Sequence, residues 1–308
     1  MDRLHSLKIL AGLAAVSLLS ACSQDGLTDG TPLEEKTPLE LTASNLYEAV
    51  ATPKTRGTID GNWQGAKTVA VRVNEKIKEY TVSSGIDGKT MLTCNDITED
   101  DTEFWWTKNG ESKTVDAWYP YSDTQPTDWK VSLEQTAETI AQEDLMYASS
   151  TPVTLANSAI EFEHMLTKVV INLVDSEYLQ QASDVSVSLT GQYQTGEFKI
   201  KTGSGKGYMA GKILSEPNCT ITPYLLPSSL DDVYYATYEA LCIPDFYVAN
   251  INIEVDEATY QKSMFPQGVS SGQQYVYTIT VKEEGLEVTP QISSWTDGTS
   301  GSGTVEIE

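Results

Sequence analysis

The chain has 308 residues, with 44 Asp and Glu against 20 Lys and Arg and a net charge of −24. So acidic a surface repels phosphate backbones, which excludes nucleic acid as a partner. The length suggests about two domains of ordinary size, each long enough to bury a core of its own.

At the start, Arg3 and Lys8 precede an uncharged apolar run from Ile9 to Leu19, which closes on Leu19-Ser20-Ala21-Cys22. That order of charge, apolar stretch and small-small-Cys is expected of a lipoprotein signal peptide over residues 1–21, with Cys22 as the lipidated first residue of the product. The run is too short to span a bilayer, which takes roughly 20 residues. Residues 22–36 are polar, acidic and Gly/Pro-containing, and are expected to form a flexible tether.

Beyond the tether, apolar residues alternate with period two. Leu39/Leu41/Ala43, Val69/Val71/Val73, Val169/Ile171/Leu173, Val185/Val187/Leu189, Ile251/Ile253/Val255, Tyr275/Tyr277/Ile279/Val281 and Val305/Ile307 all follow it. Such alternation predicts half-buried strands. Turn sequences such as Lys108-Asn109-Gly110 and Gly203-Ser204-Gly205-Lys206-Gly207 separate them at the spacing of an all-β sandwich. Only Leu133 to Leu145 has helical spacing, and it reads equally as a loop crossing one face. A Ser/Thr/Pro-rich break near residues 149–157 divides the chain into expected β-sandwich domains at 37–155 and 156–308.

No residues qualify as catalytic, and the chain is read as a non-enzyme. His164 is the one histidine after the leader and lies at a strand start without a nucleophile-elbow pattern, so it is expected to be structural. Cys94, Cys219 and Cys242 match no zinc spacing, so neither a metal nor a cofactor is expected, and at most one internal disulfide can form. The Gly203–Gly207 cluster lacks Walker spacing and reads as a hairpin turn. Glu99-Asp100-Asp101-Thr102-Glu103 lacks the order of a calcium loop and reads as a solvated loop. Trp105, Trp106 and Trp118 fit either a sandwich core or a platform for sugar rings, and the second option makes a surface glycan-binding lipoprotein the alternative function.

After the leader the only arginines are Arg56 and Arg72. Arg72 stands inside the strand pattern Val69–Val73. Arg56 lies in the turn-like Pro53-Lys54-Thr55-Arg56-Gly57, where an arginine-specific protease could reach it in a folded protein.

Four stretches together resemble the fimbrillin family of Bacteroidales surface pili. They are Thr55-Arg56-Gly57 with Trp63 and the strand 68–73; Asp116-Ala117-Trp118-Tyr119-Pro120-Tyr121; Asp144–Ala148 with Ile160–Val169, which contains the F-x-H-x-L-x-K pattern Phe162-His164-Leu166-Lys168; and Ile292-Ser293-Ser294-Trp295-Thr296-Asp297-Gly298. The resemblance implies two Greek-key, transthyretin-like β-sandwich domains and export as a lipoprotein to the cell outer membrane. It also implies maturation by an arginine-specific protease, with Arg56 and Gly57 at the matching site, and removal of the strand that carries Leu39, Leu41 and Ala43. The subunits would then polymerise with other fimbrial subunits by donor-strand exchange and contribute to adhesion, with a host or bacterial surface receptor as a further partner. Thirteen residues follow Trp295, and Val305 and Ile307 are the candidate C-terminal donor. Either they fill a neighbour's groove, or this subunit accepts a strand without giving one.

Overall fold

The computed structural model describes residues 30–44, 68–84, 90–212, 219–227, 234–244, 249–264 and 270–295. Cys22, Arg56, Gly57, Val305 and Ile307 lie outside them. The chain is all-β, with two short α-helices and a 3-10 turn at Thr102–Phe104 among the described residues.

In the first half, strands run through β1 (Pro32–Pro38), β2 (Leu41–Ser44), β3 (Thr68–Val73), β4 (Lys76–Ser84), β5 (Thr90–Thr93), β6 (Trp105–Lys108), β7 (Ser112–Tyr119) and β8 (Asp128–Lys130). Helix α1 (Ala137–Glu143), β9 (Met146–Thr154) and β10 (Ala159–His164) follow. Seven of these strands close on themselves in the order β10-β2-β5-β4-β3-β7-β9. A closed sheet therefore stands where an open two-sheet sandwich was expected. Closure removes sheet edges altogether, which a sandwich cannot do. Pairing also carries this sheet past residue 155, because β10 bonds to β9 on one side and β2 on the other.

Two faces of the barrel wall are buried. Val69, Val71 and Val73 point inward with Leu39, Leu41, Leu92 and Phe162, whereas Ala70, Trp118 and Tyr147 point outward into a second core shared with the later strands. Burial on both faces explains why Val69-Ala70-Val71 and Ala117-Trp118-Tyr119 read as continuous apolar runs.

The second half holds β11 (Thr167–Val174), α2 (Glu177–Gln181), β12 (Val185–Gln192), β13 (Thr195–Ile200), β14 (Gly207–Gly211), β15 (Cys219–Ile221) and β16 (Tyr224–Leu225). It ends with β17 (Tyr234–Cys242), β18 (Ala249–Val255), β19 (Ala258–Met264), β20 (Gln273–Lys282) and β21 (Gly285–Ser294). A five-stranded sheet β16-β17-β11-β20-β21 and a four-stranded sheet β15-β12-β18-β19 contribute Val169, Ile171, Val187, Leu189, Ile251 and Ile279 to one core. A smaller sheet β14-β13-β8 ties Asp128–Lys130 of the first half to the second. The glycine cluster 203–207 forms the β13–β14 hairpin as expected, with Gly203 and Gly205 at positive φ.

Two further expectations change. The segment 133–145 resolves into helix α1, whose first turn Thr136 and Thr139 cap reciprocally, plus a flanking loop that Gln135 pins to both backbone groups of Leu241 on β17. The tether ends earlier than Lys36, because β1 begins at Pro32 and pairs with β6. Its side chains are polar and mostly exposed, and Leu33 alone packs on the barrel core, so no apolar alternation marks it as a strand.

Candidate functional site

Strand β2 occupies a slot in the barrel wall. It runs antiparallel to β5, with Leu41 opposite Leu92 and Ala43 opposite Thr90, and parallel to β10, with Ala43 opposite Ile160. Leu41, Leu92 and Val82 line up in one buried row across three strands. Leu39 and Leu41 are both fully buried, and at ~1.5–3 kcal/mol per side chain their burial is the main force holding the segment. Backbone bonds add to it, since the Thr42 N–H donates to Ser158 O at 3.0 Å and the Leu39 N–H to Phe104 O at 2.8 Å.

Without β2 the closed sheet would open between β5 and β10, exposing two unpaired strand edges and an apolar groove. Arg56 and Gly57 fall in the sequence between β2 and β3, so a cut after Arg56 would separate β2 from the rest of the barrel and β1 from its partner β6.

The other arginine is locked. Arg72 sits on β3 between β4 and β7. Its guanidinium grips the buried Asp116 directly across the ladder with both Nε and Nη2, donates to Gln125 at 2.7 Å, and lies 5.7 Å from the centre of the Trp118 ring. The Tyr147 hydroxyl donates to the same carboxylate at 2.8 Å. Hydrogen bonding to Asp116 raises the Arg72 pKa further above its ordinary value, so the charge is permanent.

Strand β1 is held by the β6–β7 hairpin. The Gly30 N–H donates to Asn109 O at 2.9 Å, and the Asn109 N–H donates to Thr31 O at 2.8 Å. Within that hairpin the Glu111 carboxylate accepts from Lys113 Nζ at 2.7 Å, from the Thr107 N–H at 2.8 Å and from the Thr107 hydroxyl at 3.0 Å. Partial burial alone would raise its pKa, but these donors outweigh it and hold the group at about 2, against an ordinary 4.5. A depressed carboxylate stabilises the fold fully above its unfolded value and loses that contribution as pH falls towards the folded one. Glu111→Gln is therefore expected to cost about 1–2 kcal/mol at neutral pH. The gap from the parent should shrink between pH 4.5 and about 2 in denaturant unfolding, and a gap constant across that range would contradict the assignment.

Residues of the motif stretches meet at one buried place. His164 Nδ1 lies 2.8 Å from Asp144 Oδ2, and the His164 ring stacks on Trp295 at 3.6 Å and 5°. Lys168 and Glu239 pair at 3.4 Å, both essentially without exposure, with the ammonium 5.9 Å from the Trp295 ring centre. The Trp295 N–H donates to Gly272 O and the Gly272 N–H to Leu166 O, which fastens the end of β21 to the β10–β11 corner. His164 is thus structural, as expected. Asp144 as the partner of His164 and Glu239 as the partner of Lys168 were not identified from sequence. The available clue was a charge, Lys168, inside the apolar run 166–171.

Trp106 and Trp118 are buried in separate cores, and Trp105 is held by its indole N–H on Thr98 O at 2.8 Å. None of the three forms a platform with the others. In the acidic loop, Asp101 accepts from the Thr98 N–H and pairs with Lys78, while Glu103 pairs with Lys76. Hydrogen bonds from Thr98, with Lys78, hold Asp101 at about 2. Cys94, Cys219 and Cys242 are free thiols, and burial pushes Cys242 up to about 12.

The fold and the slot define an all-β protein organised around strand pairing. A model of the family described as fimbrillin-like matches residues 55–295, and the chain belongs to that family. A Bacteroides uniformis protein assigned as fimbrium subunit Fim1C is 21% identical, over 97% of this chain and 98% of its own length. Among solved structures, a protein from Bacteroides ovatus assigned to cell adhesion has a TM-score of 0.60 at 19% identity, covering 86% of this chain and 100% of that one. A second, from Bacteroides uniformis, has a TM-score of 0.59 at 16% identity, covering 84% and 99%. At these identities the structural likeness speaks for the fold.

Proposed function

We propose that the chain is a structural subunit of a cell-surface fimbria that polymerises by exchanging its second strand for one from a neighbour. It reaches the cell outer membrane as a lipoprotein anchored through Cys22, is cut between Arg56 and Gly57 by an arginine-specific protease, and takes part in adhesion once assembled. Leu39, Leu41 and Ala43 leave with the released segment, and Val305 and Ile307 of another subunit supply the replacement. The second half, with its five- and four-stranded sheets on one core, is the part we read as the transthyretin-like sandwich.

The observation that carries this reading is the position of β2: inserted between β5 and β10, anchored by the buried Leu41 and by the buried Leu39 just before it, and on the N-terminal side of Arg56. A groove so vacated has two open edges and apolar walls, and an incoming strand satisfies both. A donor burying a few aliphatic side chains at ~1.5–3 kcal/mol each, over a full ladder, makes a persistent joint without a covalent bond.

Incubation of the folded chain with an arginine-specific protease tests it. The expected product starts at Gly57, with Arg72 intact behind its Asp116 contacts. Arg56→Ala should abolish both the cut and the high-mass polymers that follow. First cleavage at Arg72, or no cleavage, would contradict the reading. A glycan-binding role gains no support from the buried Trp106 and Trp118.

A further inference from the structure

Leu39 lies between β1 and β2, outside either strand, yet it is fully buried and its peptide groups are held from two directions. Its N–H donates to Phe104 O at 2.8 Å, and its carbonyl accepts from the Tyr80 hydroxyl at 2.8 Å. Tyr80 and Phe104 are themselves without exposure, with ring centres 6.3 Å apart. Burial raises the Tyr80 phenol well above its ordinary pKa, so the hydroxyl stays protonated and remains a donor. If Leu39 departs, a buried hydroxyl loses its acceptor and a buried carbonyl loses its donor, each costly to leave unsatisfied.

We propose that Tyr80 and Phe104 form a clamp that sets the register and direction of the strand filling the slot, by gripping the N–H and the carbonyl of one residue that bears an aliphatic side chain. The clamp rests on the slot being exchangeable. Its occupant after processing is the C-terminal segment of a second copy, with Val305 in the place of Leu39 and Ile307 in that of Leu41. The two segments share an order, Leu39-Glu40-Leu41 against Val305-Glu306-Ile307, and Glu40 is exposed between its buried neighbours. Direction follows from chemistry. Phe104 O can only accept, so the occupant turns an N–H to it and a carbonyl to Tyr80, whereas a strand running the other way would set carbonyl against carbonyl.

Two measurements test this. In the uncut full-length chain, Tyr80→Phe should speed amide hydrogen exchange at Leu39 about tenfold, the effect of one buried hydrogen bond, and leave Val69–Val73 unchanged. In the chain cut after Arg56, a labelled peptide of residues 303–308 should be captured. It should dissociate about tenfold faster from the Tyr80→Phe form, and N-methylation at Val305 should speed its loss from the parent at least as much. Capture that is indifferent to both changes, with Leu39 exchange also unchanged, would overturn the clamp while sparing the slot. Failure of the cut parent chain to capture the peptide at all would overturn the slot itself.

Discussion

Leu41→Ala is expected to destabilise the uncut chain by about 2–5 kcal/mol and, once Arg56 has been cut, to speed polymerisation. The first effect follows from the site: Leu41 is fully buried in a row with Leu92 and Val82, and truncation leaves a cavity in the barrel wall. The second follows from exchange. The altered side chain sits on the segment that leaves, so it weakens the resident strand and leaves the assembled joint untouched. Denaturant unfolding of the precursor and of the assembled polymer separates the two: the precursor should lose stability and the polymer should match the parent. Leu92→Ala serves as the opposite case, because that residue stays behind, and it should weaken both forms. A polymer weakened equally by Leu41→Ala and Leu92→Ala would mean that β2 never left.

Lys168→Ala should cost about 3–5 kcal/mol, because it removes the cation that pairs with the buried Glu239 carboxyl. Removal of both charges is milder. Lys168→Met with Glu239→Leu fills similar volume without an uncompensated ion and should recover most of the loss. The pair matters beyond its own energy, since Lys168 lies near the Trp295 ring, which stacks on His164, and residues 296–308 begin directly after that tryptophan. The cluster thus fixes the root of the proposed donor. A single substitution within about 1 kcal/mol of the parent, read from chemical denaturation, would contradict this account.

Much of the strand inventory was legible, because period-two alternation is a local property. Val69/Val71/Val73 and Val185/Val187/Leu189 each declare an inward face within six residues. The glycine hairpin at 203–207 was equally plain, since positive φ selects the residue type. Strand β1 was not legible: Glu34, Glu35 and Lys36 carry no alternation, and the strand exists through backbone pairing with β6. Closure of the first sheet was hidden for a different reason. It depends on β2 meeting β10 more than a hundred residues later, as in the pairing of Ala43 with Ile160, and no local pattern encodes a parallel partner at that distance.

The candidate site divides in the same way. Leu39 and Leu41 could be identified as a buried strand face from their spacing, but the Tyr80 hydroxyl on the Leu39 carbonyl could not, because a tyrosine in an alternating strand looks like any other core aromatic. The His164 cluster gathers residues 144, 164 with 168, 239 and 295 from four separate places in the chain. The stretches that hold residues 144, 164, 168 and 295 were recognisable one by one, whereas Glu239 lies in none of them; their meeting required the fold.

Whether the second strand is replaced is tested most directly by denaturing mass spectrometry of fibres assembled from the full-length chain. The account predicts subunits that begin at Gly57, with no peptide containing Pro32–Ser44 retained. Fibres whose subunits still carry that segment, covalently or as a bound fragment, would contradict it.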